Sequence, residues 1–153
     1  MLRARLTEAL KTAMKGRDEP TVAAVRLILA RLKERDIEAR GKGNMAGIGD
    51  EEIVAMMQGM IKQRRESIEL YERGKRPELA AKEAGEIAVI ESFMPRQLGE
   101  AEMAAAVAAV IAELGAGNIK EMGKVMARLK ERFAGTMDFA RASAIVKARL
   151  SAG

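Results

Sequence analysis

The chain has 153 residues, of which 48% are hydrophobic and 32% charged, and its formal net charge is +5. This length suits one ordinary domain or two small ones, and the apolar fraction is sufficient for a buried core. The absence of Cys and His excludes disulfides, thiolate metal sites and the commonest general base. We therefore expect a soluble, cytoplasmic protein that carries no metal or cofactor and does not enter a membrane.

The first 95 residues predict four amphipathic helices. The predicted helices run over residues 2–14, 21–40, 50–73 and 77–94. In the first helix, Leu2, Leu6, Leu10 and Met14 lie on one apolar stripe. Asp50 is a plausible N-cap for the third helix, because its carboxylate can accept hydrogen bonds from the first turn.

The short connection after residue 73 predicts that the third and fourth helices are antiparallel. Residues whose numbers sum to about 150 then face each other, which places Arg64 opposite Glu86. Because both lie on apolar stripes, we expect a partly buried structural ion pair. Lys62 and Arg65 are predicted to point elsewhere and to remain available to solvent or to a ligand.

Pro95 ends the fourth helix, and the segment Arg96-Gln97-Leu98-Gly99 resembles a hinge. We therefore predict two domains, an N-terminal helical bundle over residues 1–95 and a C-terminal three-helix domain over residues 96–153. The predicted C-terminal helices run over residues 100–114, 118–133 and 138–150, with Asn118 and Glu121 as a capping box. No segment has the alternation of a β-strand, so the predicted fold is all-α.

A basic band marks the second of these C-terminal helices. Its members, Lys120, Lys124, Arg128 and Arg132, recur every fourth residue and therefore follow one side of a helix. Residues 118–150 contain 8 cations and 3 anions. A docked helix that presents a row of cations is suited to a phosphate backbone. The alternative interpretation is an ordinary solvated helix surface.

Gly117 and Asn118 immediately precede this basic band. Backbone N–H groups at a helix start can hold a phosphate, and the neighbouring lysines would strengthen such a contact. The competing interpretation needs only a glycine C-cap for one helix and an asparagine N-cap for the next.

Catalytic chemistry has few candidates in this sequence. The serines, Ser67, Ser92, Ser143 and Ser151, do not lie in a Gly-x-Ser-x-Gly turn. Paired glutamates at 51/52 and 83/86 are spaced for helix caps and ion pairs. We therefore predict a binding module with no catalytic residue of its own.

The sequence also resembles the GatB/YqeY family over nearly its whole length. The segments that carry the resemblance are Ala13-Met14-Lys15, Val25-Arg26-Leu27-Ile28-Leu29, Ile61-Lys62-Gln63-Arg64-Arg65-Glu66-Ser67-Ile68, Phe93-Met94-Pro95-Arg96-Gln97-Leu98, Met122-Gly123-Lys124-Val125-Met126, and the closing Gly135, Asp138, Ile145-Val146-Lys147 and Leu150. Residues 96–153 are similar to the C-terminal domain of GatB, one component of the aspartyl/glutamyl-tRNA amidotransferase.

This resemblance implies a helical bundle followed by a three-helix, YqeY-type tail that contacts tRNA near residues 122–126. It also implies a link to carbon–nitrogen ligase activity with glutamine as amide donor, although the parts that perform that chemistry are absent here. Thr136-Met137 departs from the more polar pair that the family often has. We therefore expect no RNA contact there.

Three functions remain open on the sequence. The first is a non-catalytic accessory protein that binds tRNA or another structured RNA through the basic band. The second is a protein-interaction module in which Met56, Met57 and Met60 present an adaptable groove. The third is a component of an amidotransfer enzyme.

Overall fold

The computed structural model describes residues 1–152, which form seven α-helices and no β-strand. The predicted all-α fold is confirmed. The chain divides into two units, residues 1–94 and 95–153, and each encloses its own hydrophobic cluster.

The first unit contains four helices. They are α1 (Leu2–Lys15), α2 (Glu19–Gly41), α3 (Asp50–Arg73) and α4 (Pro77–Glu91). Leu6, Val25, Ile28, Met57 and Ile90 are completely buried at its centre. Each helix therefore contributes at least one side chain to a common core, and α3 packs along α4 as the short connection between them requires.

Several local predictions for the first unit need correction. Met14 is 51% exposed, because the preceding residue, Ala13, takes the inward position at the end of α1. The N-cap of α3 is Gly49, and Asp50 is the first helical residue. The Asp50 carboxylate instead accepts a hydrogen bond of 3.3 Å from the backbone N–H of Leu2.

The methionines of α3 belong to the core. Met56, Met57 and Met60 are 4%, 0% and 5% exposed, respectively. Their flexible side chains fill space between the helices of the first unit. Almost no surface of these three side chains is exposed, which argues against the predicted groove for a protein partner.

A buried carboxylate joins α1 and α2 to the loop before α3. Asp36, which is 7% exposed, accepts hydrogen bonds from the Arg3 guanidinium and from the backbone N–H of Ile48 at 3.0 Å. Arg3 also donates to the Ile48 carbonyl at 2.6 Å. Gly47 has φ +83 and lies so close that a Cβ atom would collide with the Asp36 carboxylate. The loop over residues 42–49, which connects α2 to α3, is therefore held against the bundle by specific hydrogen bonds.

The second unit contains α5 (Glu100–Leu114), a 3-10 turn (Ile119–Glu121), α6 (Met122–Phe133) and α7 (Phe139–Ala152). Gly115, with φ +63, ends α5 in the left-handed conformation that glycine adopts without strain. Met103, Val107, Val125, Leu129 and Val146 are completely buried between the helices. No single helix within residues 1–152 is long and apolar enough to cross a membrane; the pair Glu100–Leu114 and Ile119–Phe133, bent by 99°, meets that criterion only when counted together.

The predicted hinge segment is hydrogen-bonded to the second unit. The Leu98 backbone N–H donates to the Thr136 carbonyl at 2.8 Å, and the Gln97 side-chain amide donates to the Gly135 carbonyl at 2.7 Å. Arg96 forms a bidentate ion pair with Glu102, in which its two terminal guanidinium nitrogens donate to the two carboxylate oxygens at 3.0 and 2.9 Å. These contacts hold residues 96–99 against the start of α5 and against the loop between α6 and α7.

Candidate nucleic-acid interface

The helix predicted over residues 118–133 starts later than expected. Residues 119–121 form a 3-10 turn, and the α-helix starts only at Met122. Lys120 therefore lies on the turn before α6, and the neighbouring Ile119 is 43% exposed. The four cations of the basic band follow one another along the chain but do not share one regular helix.

The two arginines of the basic band bind a carboxylate from α5. Arg128 and Arg132 donate to the same oxygen, Oε1 of Glu113, at 2.7 and 2.6 Å. Hydrogen bonding from Arg132 holds the pKa of Glu113 below its ordinary value, and the Arg128 guanidinium acts in the same direction. Two of the four cations of the basic band are thus already paired with a carboxylate of the same chain.

The two lysines of the basic band have a different environment. Lys120 and Lys124 are exposed, and no ion pair within the described chain engages either ammonium group. Both lie near the N-terminal end of α6, whose apolar side is held by the buried residues Val125 and Leu129. The 3-10 turn and the start of the docked helix α6 therefore present these two charges to solvent.

Asn118 has a structural explanation, whereas Gly117 is an exposed position at which an added Cβ atom would meet no other atom within 4 Å. The Asn118 side chain accepts a hydrogen bond of 2.9 Å from the Lys120 backbone N–H, and the Asn118 carbonyl accepts one of 3.1 Å from Glu121. The Asn118 cap thus already engages two of the N–H groups in the turn, and a turn of three residues carries little helix dipole. The geometry supports the capping interpretation rather than a phosphate site.

The predicted Arg64–Glu86 pair is present in the first unit. Arg64 Nε donates to Glu86 Oε2 at 2.9 Å, and the two side chains are only 14% and 18% exposed. Arg65 has a surface partner, because its guanidinium lies 3.9 Å from the Glu91 carboxylate. Lys62 is exposed and lines a groove between α2 and α3.

The position of Glu113 beside Arg128 and Arg132 is not evident from the sequence. It stands 15 residues before Arg128, near the end of α5, and no local pattern connects the two. Their contact depends on the bend of 99° between Glu100–Leu114 and Ile119–Phe133. Sequence periodicity gives the faces of each helix but not the angle at which two helices cross.

The described residues form no group of three or more carboxylates that is arranged to hold a metal ion. The carboxylates with shifted pKa values, Asp36, Glu102 and Glu113, are each explained by a neighbouring arginine.

Comparison with known proteins places the chain in a family. The profile of the family described as Yqey-like protein matches residues 3–150. The chain belongs to the YqeY-like family. Because that match spans both units, the family assignment applies to the N-terminal bundle as well as to the tail.

Curated relatives of this YqeY-like chain are fungal. It is 36% identical over 86 residues to altered inheritance of mitochondria protein 41, mitochondrial, of Saccharomyces cerevisiae, which covers 56% of this chain and 44% of the yeast protein. The Lachancea thermotolerans protein of the same name is 29% identical over 117 residues, covering 75% of this chain and 60% of the relative. The matched region is therefore about half of the length of these proteins.

Proposed function

We propose that this YqeY-like protein is a non-catalytic accessory protein that binds structured RNA, with tRNA as the first candidate. Its second unit supplies the binding surface, and recognition depends on backbone charge and shape. The observation that carries the proposal is the exposed pair Lys120, on the 3-10 turn, and Lys124, in the first turn of α6. The choice of tRNA rests on the resemblance of residues 96–153 to the tail of the amidotransferase component GatB.

The composition of the second unit favours phosphate contact over base recognition. Its aromatic residues, Phe133 and Phe139, pack against the hydrophobic cluster of that unit and are not available as stacking platforms. Arg141, Lys147 and Arg149 add exposed positive charge on α7. A surface of this kind attracts polyanions through counterion release, largely without regard to sequence.

The proposal predicts a strong salt dependence. Two phosphate contacts lower RNA affinity about 10-fold when monovalent salt rises from about 50 to about 200 mM. Fluorescence anisotropy of labelled tRNA, titrated with the whole chain, measures this change. Affinity that is independent of salt, or absence of tRNA binding at the lower concentration, would contradict the proposal.

Glu113 provides a second prediction. Glu113→Gln removes the internal anion from Arg128 and Arg132, so both guanidinium groups become available to phosphate. We expect tRNA affinity to rise about 3- to 10-fold, because one or two phosphate contacts are gained. The same anisotropy titration at fixed salt measures the change.

A matched control for this variant is Glu100→Gln, which removes one negative charge from an exposed position at the start of α5. It changes the net charge equally but leaves the arginines bound to Glu113. An equal gain from both variants would indicate a general charge effect. A loss of affinity in Glu113→Gln would indicate that Glu113 orients the arginines for RNA.

Amidotransfer remains the competing enzymatic hypothesis. A glutaminase assay of the purified chain tests it directly, and turnover would contradict the non-catalytic assignment. The cytoplasmic location also stays a prediction. The fungal relatives carry a mitochondrial designation in their names, so imaging of the tagged chain in its own host is the relevant measurement.

A further inference from the structure

A second cationic surface lies in the first unit, in a groove between α2 and α3. The groove has a volume of about 340 Å³. Its lining residues share two helix faces and are, from α2, Arg31 and Arg35, and, from α3, Ala55, Met56, Gly59, Met60, Lys62, Gln63 and Glu66. Because residues 55–66 advance about 1.5 Å each, the α3 side of the groove is about 16 Å long. A single phosphate ion would fill only part of it.

The rim of the groove carries three cations and one carboxylate. Arg31 has a surface partner, Glu34, at 3.3 Å on its own helix, and such exposed pairs exchange easily for another anion. Arg35 and Lys62 are exposed on opposite sides of the groove. Glu66, the one acidic residue, reduces the positive potential. The remaining excess of positive charge is complementary to an anionic ligand.

The floor of the groove favours a phosphate backbone over a protein partner. Met56 and Met60 are almost completely buried, so the floor offers little apolar area to the anchor side chains of a protein interface. No aromatic side chain lines the groove, and bases therefore have no stacking platform. Guanidinium and ammonium groups along an open channel are the contacts that a nucleic-acid backbone uses.

We propose that the groove formed by Arg31, Arg35, Gly59 and Lys62 is a second RNA-binding site, which holds the sugar–phosphate backbone of a single strand. It lies in the first unit and is independent of the proposed surface around Lys120 and Lys124. Binding at this groove therefore persists in a chain in which the surface around Lys120 and Lys124 has been inactivated.

The charge test uses the whole chain in a Lys120→Glu/Lys124→Glu background. The probe is a fluorescein-labelled short oligouridylate, whose weakly stacking bases make binding report on the backbone. Adding Arg35→Gln and Lys62→Gln removes two phosphate contacts and lowers affinity about 10-fold at physiological salt. Glu66→Gln raises affinity, since it removes the opposing charge. Unchanged binding in the Arg35→Gln/Lys62→Gln chain would overturn the proposal.

A charge-matched control separates the groove from bulk charge. Lys33→Gln removes an exposed cation from α2 outside the groove. We combine it with Lys82→Gln, an exposed position on α4, so that the control loses the same two charges. Equal weakening in this control would show that total charge, not the groove, binds the RNA.

A neutral variant tests the same site without altering charge. Gly59 lines the groove, and a Cβ atom added there meets no other atom within 4 Å, so Gly59→Gln adds a side chain to the groove wall without a clash at Cβ. We expect the loss of about one contact, which is roughly a 4-fold fall in affinity. Gly85→Gln, on α4, has equally open space and lies outside the groove. Binding that is unaffected by Gly59→Gln would contradict an occupied groove.

Two competitors identify the ligand class. Oligouridylate should be displaced by unlabelled RNA but much less by inorganic phosphate at equal phosphate concentration, because one ion cannot span the groove. Polyglutamate at equal charge should also compete less well. Equal competition by phosphate would indicate a small-anion site, and equal competition by polyglutamate would indicate an acidic peptide; either result overturns the assignment to RNA.

Discussion

Replacing Lys120 and Lys124 with glutamate lowers tRNA affinity roughly 100-fold, because two attractive phosphate contacts become repulsive. The fold should survive this change. Both residues are exposed and lie near the N-terminal end of α6, where a carboxylate interacts favourably with the helix dipole. Anisotropy titration measures the loss of binding, and circular dichroism checks that the helices remain.

The control for this prediction reverses the charge of two lysines outside the basic band. Lys11→Glu with Lys82→Glu changes the net charge by the same amount at exposed positions of α1 and α4. We expect its effect on tRNA affinity to be several times smaller, since distant charges are screened at physiological salt. A similar loss of tRNA affinity in both variants would show that Lys120 and Lys124 do not form a specific binding surface.

Reversal of all four members of the basic band is a less informative experiment. Arg128 and Arg132 hold Glu113, and glutamates in their places would put like charges against that carboxylate. Such a chain would lose the ion pairs between α5 and α6 together with any RNA contact. The Lys120→Glu/Lys124→Glu variant tests RNA binding without disturbing the ion pairs of Glu113. The sequence pattern alone does not show that the lysines and the arginines differ in this way.

Much of the fold follows from local sequence signals. Helix periodicity with Gly and Pro punctuation predicts α3 and α5 nearly to the residue, because those signals act within a few residues of each boundary. The antiparallel register predicts the Arg64–Glu86 pair, since the connection between α3 and α4 is short. The 3-10 turn before α6 could not be predicted in this way, because residues 119–121 continue the helical pattern of α6.

The candidate surfaces depend more strongly on tertiary contacts. Glu113 reaches Arg128 and Arg132 only through the packing of α5 on α6. The cationic groove combines Arg31 and Lys62, which are distant in sequence. Asp36 differs from these, because it continues the buried stripe of Val25, Ile28 and Leu32 on α2. A carboxylate on an apolar stripe predicts a buried polar contact, although not its partner.

Asp36→Asn destabilises the first unit by about 2 kcal/mol, because a charged acceptor for Arg3 and Ile48 is replaced by a neutral one. This loss corresponds to about a 30-fold change in the folding equilibrium. Tyr71, the one tyrosine of a chain without tryptophan, lies on α3. Its fluorescence during urea denaturation therefore reports on the first unit specifically. The surface control Glu38→Gln, which loses only an exposed pair with Lys42, should change stability by less than about 0.5 kcal/mol.

The pH dependence of this stability difference identifies its electrostatic origin. Hydrogen bonding from Arg3 lowers the pKa of Asp36 in the folded state, burial opposes this shift, and the Ile48 N–H adds to the lowering. A folded-state pKa below the unfolded value means that the stabilisation is complete above the unfolded pKa, about 3.9. It is lost as pH falls through the lower folded-state value. The gap between the original chain and Asp36→Asn should therefore be constant near neutral pH and narrow in acid. A gap that stays the same in acid would indicate that lost packing, not the ionised carboxylate, causes the destabilisation.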